Sequence, residues 1–130
     1  MVEEHRDRVQ WIEWGTFDVC GKRHGKTEKG KVGVGKDIRV IGVEVTEWKE
    51  RKGHTLAPSM ITGVYDKGIQ TLVIGIGVEG AIDCSEKVVR TIKQHGIAEV
   101  LLQRTPEACR TYSAVLRQGK PAALLAHGTC

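Results

Sequence analysis

The sequence lacks any apolar run that approaches the roughly 20 residues of a membrane-spanning helix. Its first eight residues, Met1 to Arg8, are charged and include acids, so they resemble neither a secretory signal nor a transit peptide. These absences predict a cytoplasmic protein that does not contact a membrane. A chain of 130 residues is long enough to bury its own core, so we predict one domain spanning 1–130, with 1–8 as a loose N-terminus.

The sequence also lacks the paired cysteines that hold zinc or carry redox chemistry. Its cysteines lie far apart and form no C-x-x-C motif; they are Cys20, Cys84, Cys109 and Cys130. Free cysteines pack like small apolar residues, and we expect that role here. No metal and no cofactor is predicted.

Acidic residues are scarce in one segment, residues 21–36. It has a net charge of +5 in a chain whose total is +4, because a single acid, Glu28, faces six cations: Lys22, Arg23, Lys26, Lys29, Lys31 and Lys36. Glycines interrupt the segment, and since glycine is costly to order and like charges repel, the pattern predicts a basic Gly-rich loop. The six cations are candidates for binding a small anionic ligand or a protein partner. The segment has no aromatic side chain on which a base can stack, which disfavours nucleic acid.

Short alternating runs on both sides of this loop predict antiparallel strands. Alternate residues of 14–19 can face one side of a strand, and 37–41 and 43–48 alternate more regularly. We predict two or three half-buried strands, with the basic loop as the turn between the first and the second. All three tryptophans lie in this half, where we expect them to pack the sheet edge; an exposed one would indicate a binding surface.

The second half of the sequence alternates between helical and apolar patterns. Helices are predicted over 57–67, with Pro58 in the first turn, after an N-cap at Asp83 with Glu86 three residues on, and after an N-cap at Thr105. Apolar runs predict strands at 71–74, 97–103 and 122–126, and the first of them is predicted to be a central strand covered on both faces. This order implies right-handed crossovers. The predicted fold class is α/β, with antiparallel N-terminal strands and a parallel βαβαβ C-terminal half.

Residues 75–80, GIGVEG, match the dinucleotide-binding pattern G-x-G-x-x-G after a strand. The predicted cap at Asp83 starts the helix after the third glycine, whereas the fingerprint requires that glycine inside the helix start. The acid that contacts the ribose is also missing, since the next strand ends in Gln103 and Arg104. We therefore do not predict a dinucleotide site.

The glycine-marked strand ends still suggest a pocket. Ligands of open α/β sheets bind beyond the carboxyl ends of the strands, where Gly75 and Gly77 carry no side chain. His127 follows the last predicted strand, and a loop with Arg51 and His54 can fold over this end. A Cys–His pair formed by His127 and Cys130 can be nucleophilic, but no third group that orients His127 is evident in the sequence.

Several segments occur together in a characteristic order and spacing. They are KGIQTLVIGIG at 67–77, KQHGI at 93–97, residues 112–119 and the final HGTC at 127–130. Over 14–130 the chain resembles the adipogenesis-associated Mth-domain family, of which a mitochondrial complex I assembly factor is a distant relative. The resemblance implies a three-layer α/β fold with a mixed central sheet, no established enzyme activity, and a link in vertebrate members to fat-cell differentiation. Residues 21–36 depart from the family pattern in being longer and more basic.

Two functional hypotheses follow from the sequence. The preferred one is a non-enzymatic binding or adaptor domain that uses the tryptophan-bearing front half and the basic loop. The alternative is a small-molecule or anion-binding protein, conceivably an enzyme, with its site at the glycine-marked strand ends. A polar-lined cavity beside Gly75 and Gly77 would favour the second hypothesis, and a filled surface there would favour the first.

Overall fold

The computed structural model describes residues 7–130. The predicted loose N-terminus falls mostly on residues 1–6, which lie outside the described residues. The first sheet is an antiparallel meander of four strands: β1 Val9–Glu13, β2 Thr16–Val19, β3 Lys22–Thr27 and β4 Gly30–Val32. The second sheet is mixed and has the order β6-β5-β9-β7-β8. Its strands are β5 Asp37–Ile41, β6 Glu44–Glu47, β7 Thr71–Gly75, β8 Glu99–Gln103 and β9 Ala122–His127. The prediction of an α/β fold with antiparallel N-terminal strands and a mixed sheet is confirmed.

The basic segment is a hairpin and not a loop, so that prediction is wrong. We call β3 and β4 with their turn, residues 22–32, the basic hairpin. Its ladder pairs Gly25 with Thr16 of β2 on one side and with Val32 on the other. Gly21 (φ +88°) precedes β3, and Gly30 (φ +113°) ends the turn between β3 and β4. L side chains are strained at such positive φ values, so both turns favour glycine. The strands on either side of this segment, β2 and β5, also belong to different sheets, so the segment is not a turn between two strands of one sheet.

The second sheet contains two fully buried strands, β7 and β9. β9 pairs antiparallel with β5 and parallel with β7, and β7 pairs parallel with β8. The prediction of a buried strand at 71–74 is confirmed. The middle strand of the five is β9. Residues of its two neighbours, β5 and β7, therefore lie close to the carboxyl end of β9.

Two α-helices connect the parallel strands, α1 Glu86–Gln94 and α2 Thr105–Arg117. The predicted cap at Asp83 is wrong, because the backbone of Asp83 bridges to the loop before it, with its N–H donating to His54 O at 2.7 Å. The helix begins three residues later, with Ser85 at the N-cap. α2 begins at Thr105 itself, one residue earlier than a Thr105 cap implies.

The helix predicted over 57–67 is limited to one 3-10 turn, Pro58–Met60. Side-chain donors take the backbone carbonyls that a helix would use: Trp48 Nε1 donates to Met60 O at 2.8 Å, and an Arg39 amino group donates to Thr62 O at 3.1 Å. Gly63 then takes a φ of +73° directly against the Arg39 guanidinium. Tertiary hydrogen bonds therefore override the local helical pattern.

Alternate side chains of β7 and β9 face two separate apolar clusters. Val73 and Leu124 pack with α2 and with Phe17 of the first sheet. Leu72 and Leu125 pack on the other side with residues of α1 and of the loop around the 3-10 turn. The first sheet and α2 thus share one face of the second sheet, and the carboxyl ends of β7 and β9 open toward the junction between the two sheets.

Candidate functional sites

An Asp–His pair forms at the carboxyl end of β9. The antiparallel register of β5 and β9 places Asp37 directly opposite His127. Their side chains meet at 2.6 Å between Asp37 Oδ1 and His127 Nδ1. His127 is 2% exposed, and a buried imidazole requires a partner, which this carboxylate supplies.

Arg51 completes the environment of the carboxylate. Its Nε donates to Asp37 Oδ2 at 3.2 Å, and a terminal amino group donates to Gly53 O at 2.6 Å. Burial opposes ionisation of Asp37, but the hydrogen bond from His127 and the charge of Arg51 outweigh it, so the pKa of Asp37 lies below its ordinary value. Asp37 is therefore a fixed carboxylate that orients His127.

The thiol of Cys130 lies between two imidazoles. Its Sγ is 3.6 Å from His127 Nε2 and 3.5 Å from His54 Nε2. The hydroxyl of Thr129 also reaches His127 Nε2, at 3.0 Å. His54 is exposed and Cys130 half-buried, so the thiol is open to solvent. The structure brings together Arg51, His54 and His127, as the sequence suggested.

The expected pocket at Gly75 and Gly77 is filled by the chain itself. The loop after β7 holds residues 129–130: Val78 N–H donates to Thr129 O at 2.8 Å, and the N–H groups of residues 79 and 81 each donate to Cys130 O at 3.1 Å. A Cβ on Gly77 would collide with the backbone of Cys130, and one on Gly75 would meet Thr105 Oγ1 at 2.9 Å. These glycines therefore make room for protein, and the prediction of an uncovered strand end is wrong.

The first sheet presents a different kind of surface. A cavity of about 220 Å³ lies along β2, β3 and β4, lined by Glu13, Thr16, Arg23, His24, Gly25, Lys26, Thr27 and Val32. Trp14, in the turn between Glu13 and Thr16, is 54% exposed, and Ile12 is 37% exposed. Basic side chains thus line the cavity together with Glu13, and two exposed apolar residues flank Glu13 in the chain.

Two of the six predicted cations, Arg23 and Lys26, line this cavity. Lys22, Arg23 and Lys26 are on β3, and all six are exposed. Lys31 Nζ is 3.4 Å from Glu47 Oε1, an exposed ion pair that contributes little to stability. His24 is buried, and its Nδ1 accepts the Val34 N–H at 3.0 Å, so it supports the turn after the hairpin. Burial is the main reason that the pKa of His24 is lowered.

The other two tryptophans are internal. Trp48 is buried, and Trp11 Nε1 donates to Gly128 O at 3.0 Å. Gly128 joins the two sheets, since its N–H donates to Lys36 O and its O accepts the Gly15 N–H. A Cβ at Gly128 would collide with Lys36 O.

The cysteines differ in their surroundings. Cys20 is exposed, contrary to the prediction that the cysteines are buried, because it occupies the β2–β3 turn at a φ of +51°. Cys109 is buried in α2, and burial raises the pKa of its thiol to about 12. Burial likewise raises the pKa of Cys84.

Residues 7–130 contain neither a ready-made metal cluster nor a membrane-spanning helix. Within this range, no group of three or more His, Cys, Asp or Glu side chains has the arrangement of a metal site. No helix of the same range is long and apolar enough to span a bilayer.

Sequence reasoning missed Asp37 and Thr129 as neighbours of His127. Asp37 opens an alternating strand, and only its antiparallel pairing with β9 brings it to His127. That register depends on contacts 90 residues apart in the chain, which no local pattern encodes.

Comparisons with solved structures agree on the fold. The chain is similar to a conserved hypothetical protein from Pyrococcus horikoshii OT3, with 17% identity, 94% of this chain and 98% of that chain covered, and a TM-score of 0.72. It is also similar to a structure described as an outer membrane protein from Bartonella henselae, with 19% identity, 96% and 97% covered, and a TM-score of 0.72. A third, called MT938, has 18% identity, 94% and 97% covered, and a TM-score of 0.70. Identities this low indicate a shared fold alone.

A family model covers nearly the whole described chain. The model matches residues 9–127, from the first residue of β1 to the last residue of β9. The description of the family is "Protein of unknown function (DUF498/DUF598)". The chain therefore belongs to the DUF498/DUF598 family.

Proposed function

We propose that the protein is a non-enzymatic binding or adaptor domain that holds an acidic segment of a partner protein on its first sheet. The observation that carries this proposal is a cavity lined by Arg23 and Lys26, together with the exposed Trp14, which follows the lining residue Glu13 in the chain. Tryptophan and arginine are enriched at the centres of protein interfaces, where they contribute most of the binding energy.

Charge supports an acidic partner. The six cations of residues 21–36 face one acid, so this surface attracts negative charge while the rest of the chain is close to neutral. Complementary charge steers association and fixes its register. The apolar side chains of Ile12 and Trp14 then supply contact area that charge alone does not.

The filled strand end supports the same choice. The alternative, a ligand pocket at Gly75 and Gly77, requires space that the backbone of residues 129–130 occupies. The cavity beside the first sheet instead has a volume of about 220 Å³ that no other part of the chain fills, which leaves room for side chains of a bound peptide.

The experiment is a quantitative pull-down with the wild type, two test variants and their two controls. The first test variant replaces all six cations of the first-sheet surface by serine. Its matched control replaces six exposed lysines elsewhere: Lys49, Lys52, Lys67, Lys87, Lys93 and Lys120. The second pair is Trp14→Ala against Val43→Ala, since Val43 is 48% exposed at the β5–β6 turn of the other sheet.

We expect the captured acidic proteins to disappear with the first-sheet variant and with Trp14→Ala, and to persist with both controls. Identical protein lists for the wild type and the first-sheet variant would contradict the proposal. Loss of all capture after nuclease treatment would also contradict it, because the partner would then be a nucleic acid.

We also infer how the layers of the fold are arranged and where in the cell the protein acts. The two apolar clusters on opposite faces of the second sheet support a three-layer arrangement with a βαβαβ C-terminal half. A cytoplasmic location and a role in cell differentiation stay predictions; the second of them rests on the sequence resemblance to the adipogenesis-associated Mth-domain family.

A further inference from the structure

The side-chain cluster at the end of β9 shares no residue with the lining of the first-sheet cavity. We propose that Cys130, His127 and Asp37 form a nucleophilic thiol site that accepts acyl groups from small thioesters or activated esters. This proposal does not depend on the binding function, and the two can fail separately.

The hydrogen bonds define the state of His127. Asp37 is a carboxylate and has only acceptor atoms, so the 2.6 Å contact requires His127 Nδ1 to be the donor. In the neutral ring, Nε2 then carries the lone pair, and it faces Cys130 Sγ at 3.6 Å. Cys130 is therefore placed as the nucleophile, His127 as its base and Asp37 as the group that orients the base, which is the arrangement found in activated thiols.

The second imidazole supplies an acid. His54 Nε2 is 3.5 Å from the same sulfur, on the exposed side of the site. We assign to His54 the protonation of the leaving group, which must depart toward solvent.

The backbone holds the thiol in place before any substrate binds. The N–H groups of Glu79 and Ala81 both donate to Cys130 O, and the backbone of Cys130 packs directly against Gly77, where a Cβ would collide with it. Gly128 is fixed from both sides by the two sheets. Fixed geometry of this kind reduces the entropy cost of reaction.

The chemical step balances without any cofactor. The Sγ–H proton passes to His127 Nε2 as Sγ bonds to the acyl carbon, and the bond from that carbon to the leaving oxygen or sulfur breaks. The leaving group takes a proton from His54 and departs as an alcohol or thiol. Water then attacks the thioester on Cys130 and gives one proton to His54, while His127 returns its proton to the departing sulfur. A carboxylic acid is released, and the thiol and both imidazoles are restored.

Acyl transfer to the full chain is measured with two probes, p-nitrophenyl acetate and an acetyl thioester, each with and without EDTA. Peptide mass spectrometry locates the acetyl group. We expect it on Cys130 under both conditions, with exposed Cys20 as a slower internal standard in the same molecule. The variant His127→Gln should slow acetylation of Cys130 about 100-fold, the lower range for a lost general base.

A second variant separates the chemistry from a folding defect. Thr129 Oγ1 competes for His127 Nε2 at 3.0 Å, so Thr129→Val should speed acetylation of Cys130. Asp37→Asn should change the pH dependence of the rate, which a merely structural role would not do.

Three results would overturn the proposal. The first is acetylation of Cys20 and Cys130 at equal rates in the wild type, and the second is an acetyl group on Thr129 instead of Cys130. The third is reaction of Cys130 only in the presence of EDTA, which would mean that its two imidazoles and its thiol hold a metal ion instead.

Discussion

Replacement of Gly77 by alanine tests how residues 129 and 130 are held. Gly77 has a φ of +98°, and a Cβ there would collide with the backbone of Cys130. The strained φ costs about 1–3 kcal/mol, and forcing the overlapping backbone apart adds about as much again. The expected loss in the free energy of unfolding is therefore about 2–6 kcal/mol.

Gly80→Ala is the matched control. Gly80 has a similar positive φ, +71°, but a Cβ added there would lie 3.5 Å from its nearest neighbour, Arg104 Nε. The Gly80→Ala variant has a strained backbone but no steric collision, so we expect its free energy of unfolding to fall by about 1–2 kcal/mol.

Urea unfolding followed by circular dichroism measures both variants, and iodoacetamide labelling reports the position of Cys130. We expect Gly77→Ala to be the less stable and to change the labelling rate of Cys130, while Gly80→Ala labels as the wild type does. Equal stability losses in the two variants, with unchanged labelling in both, would refute the packing of Cys130 against this loop.

Three further predictions concern buried groups. The Tyr112 hydroxyl donates to Gly42 O at 2.8 Å. Tyr112→Phe removes this donor, so we expect the free energy of unfolding in urea to fall by about 1–3 kcal/mol. The folded-state pKa of Asp37 is lowered, so its carboxylate stabilises the fold above about pH 4 and this contribution is lost as the pH falls further. The stability difference between wild type and Asp37→Asn should thus be constant near neutral pH and shrink below about pH 4 in acid titrations. Cys109 should resist iodoacetamide at about pH 8, near the ordinary pKa of an exposed thiol, because its own thiol pKa is about 12; rapid labelling in the folded protein would contradict its burial.

Local sequence patterns predict most of the second half of the fold. β7 and β9 are apolar runs that are buried on both faces, so neither shows an alternating pattern. β8 lies at the edge of the sheet and is partly exposed, but its apolar centre still marks it as a strand. The helix at Thr105 is equally well signalled, since Pro106 fits only the first turn. These elements can be predicted because residues close together in the sequence determine them.

The wrong predictions have a common physical cause. Residues 57–67 lose their helix because Trp48 and Arg39 bind the backbone carbonyls, and those contacts come from another part of the chain. The basic hairpin differs from the predicted loop because its ladder with β2 outweighs the repulsion among its charges. The partners of His127 depend on the same kind of long-range pairing. Local propensity does not contain this information, and tertiary contacts override it.

The central claim is that an acidic partner binds the first sheet, and the three tryptophan indole N–H signals in a proton–nitrogen NMR titration test it most directly. Trp11 and Trp48 indoles are held by Gly128 O and Met60 O, whereas Trp14 is 54% exposed. With a synthetic peptide rich in Glu and Phe, we expect the Trp14 signal to shift saturably and the Trp48 signal to stay in place. Binding that leaves Trp14 unmoved, or no binding at low salt, would contradict the claim.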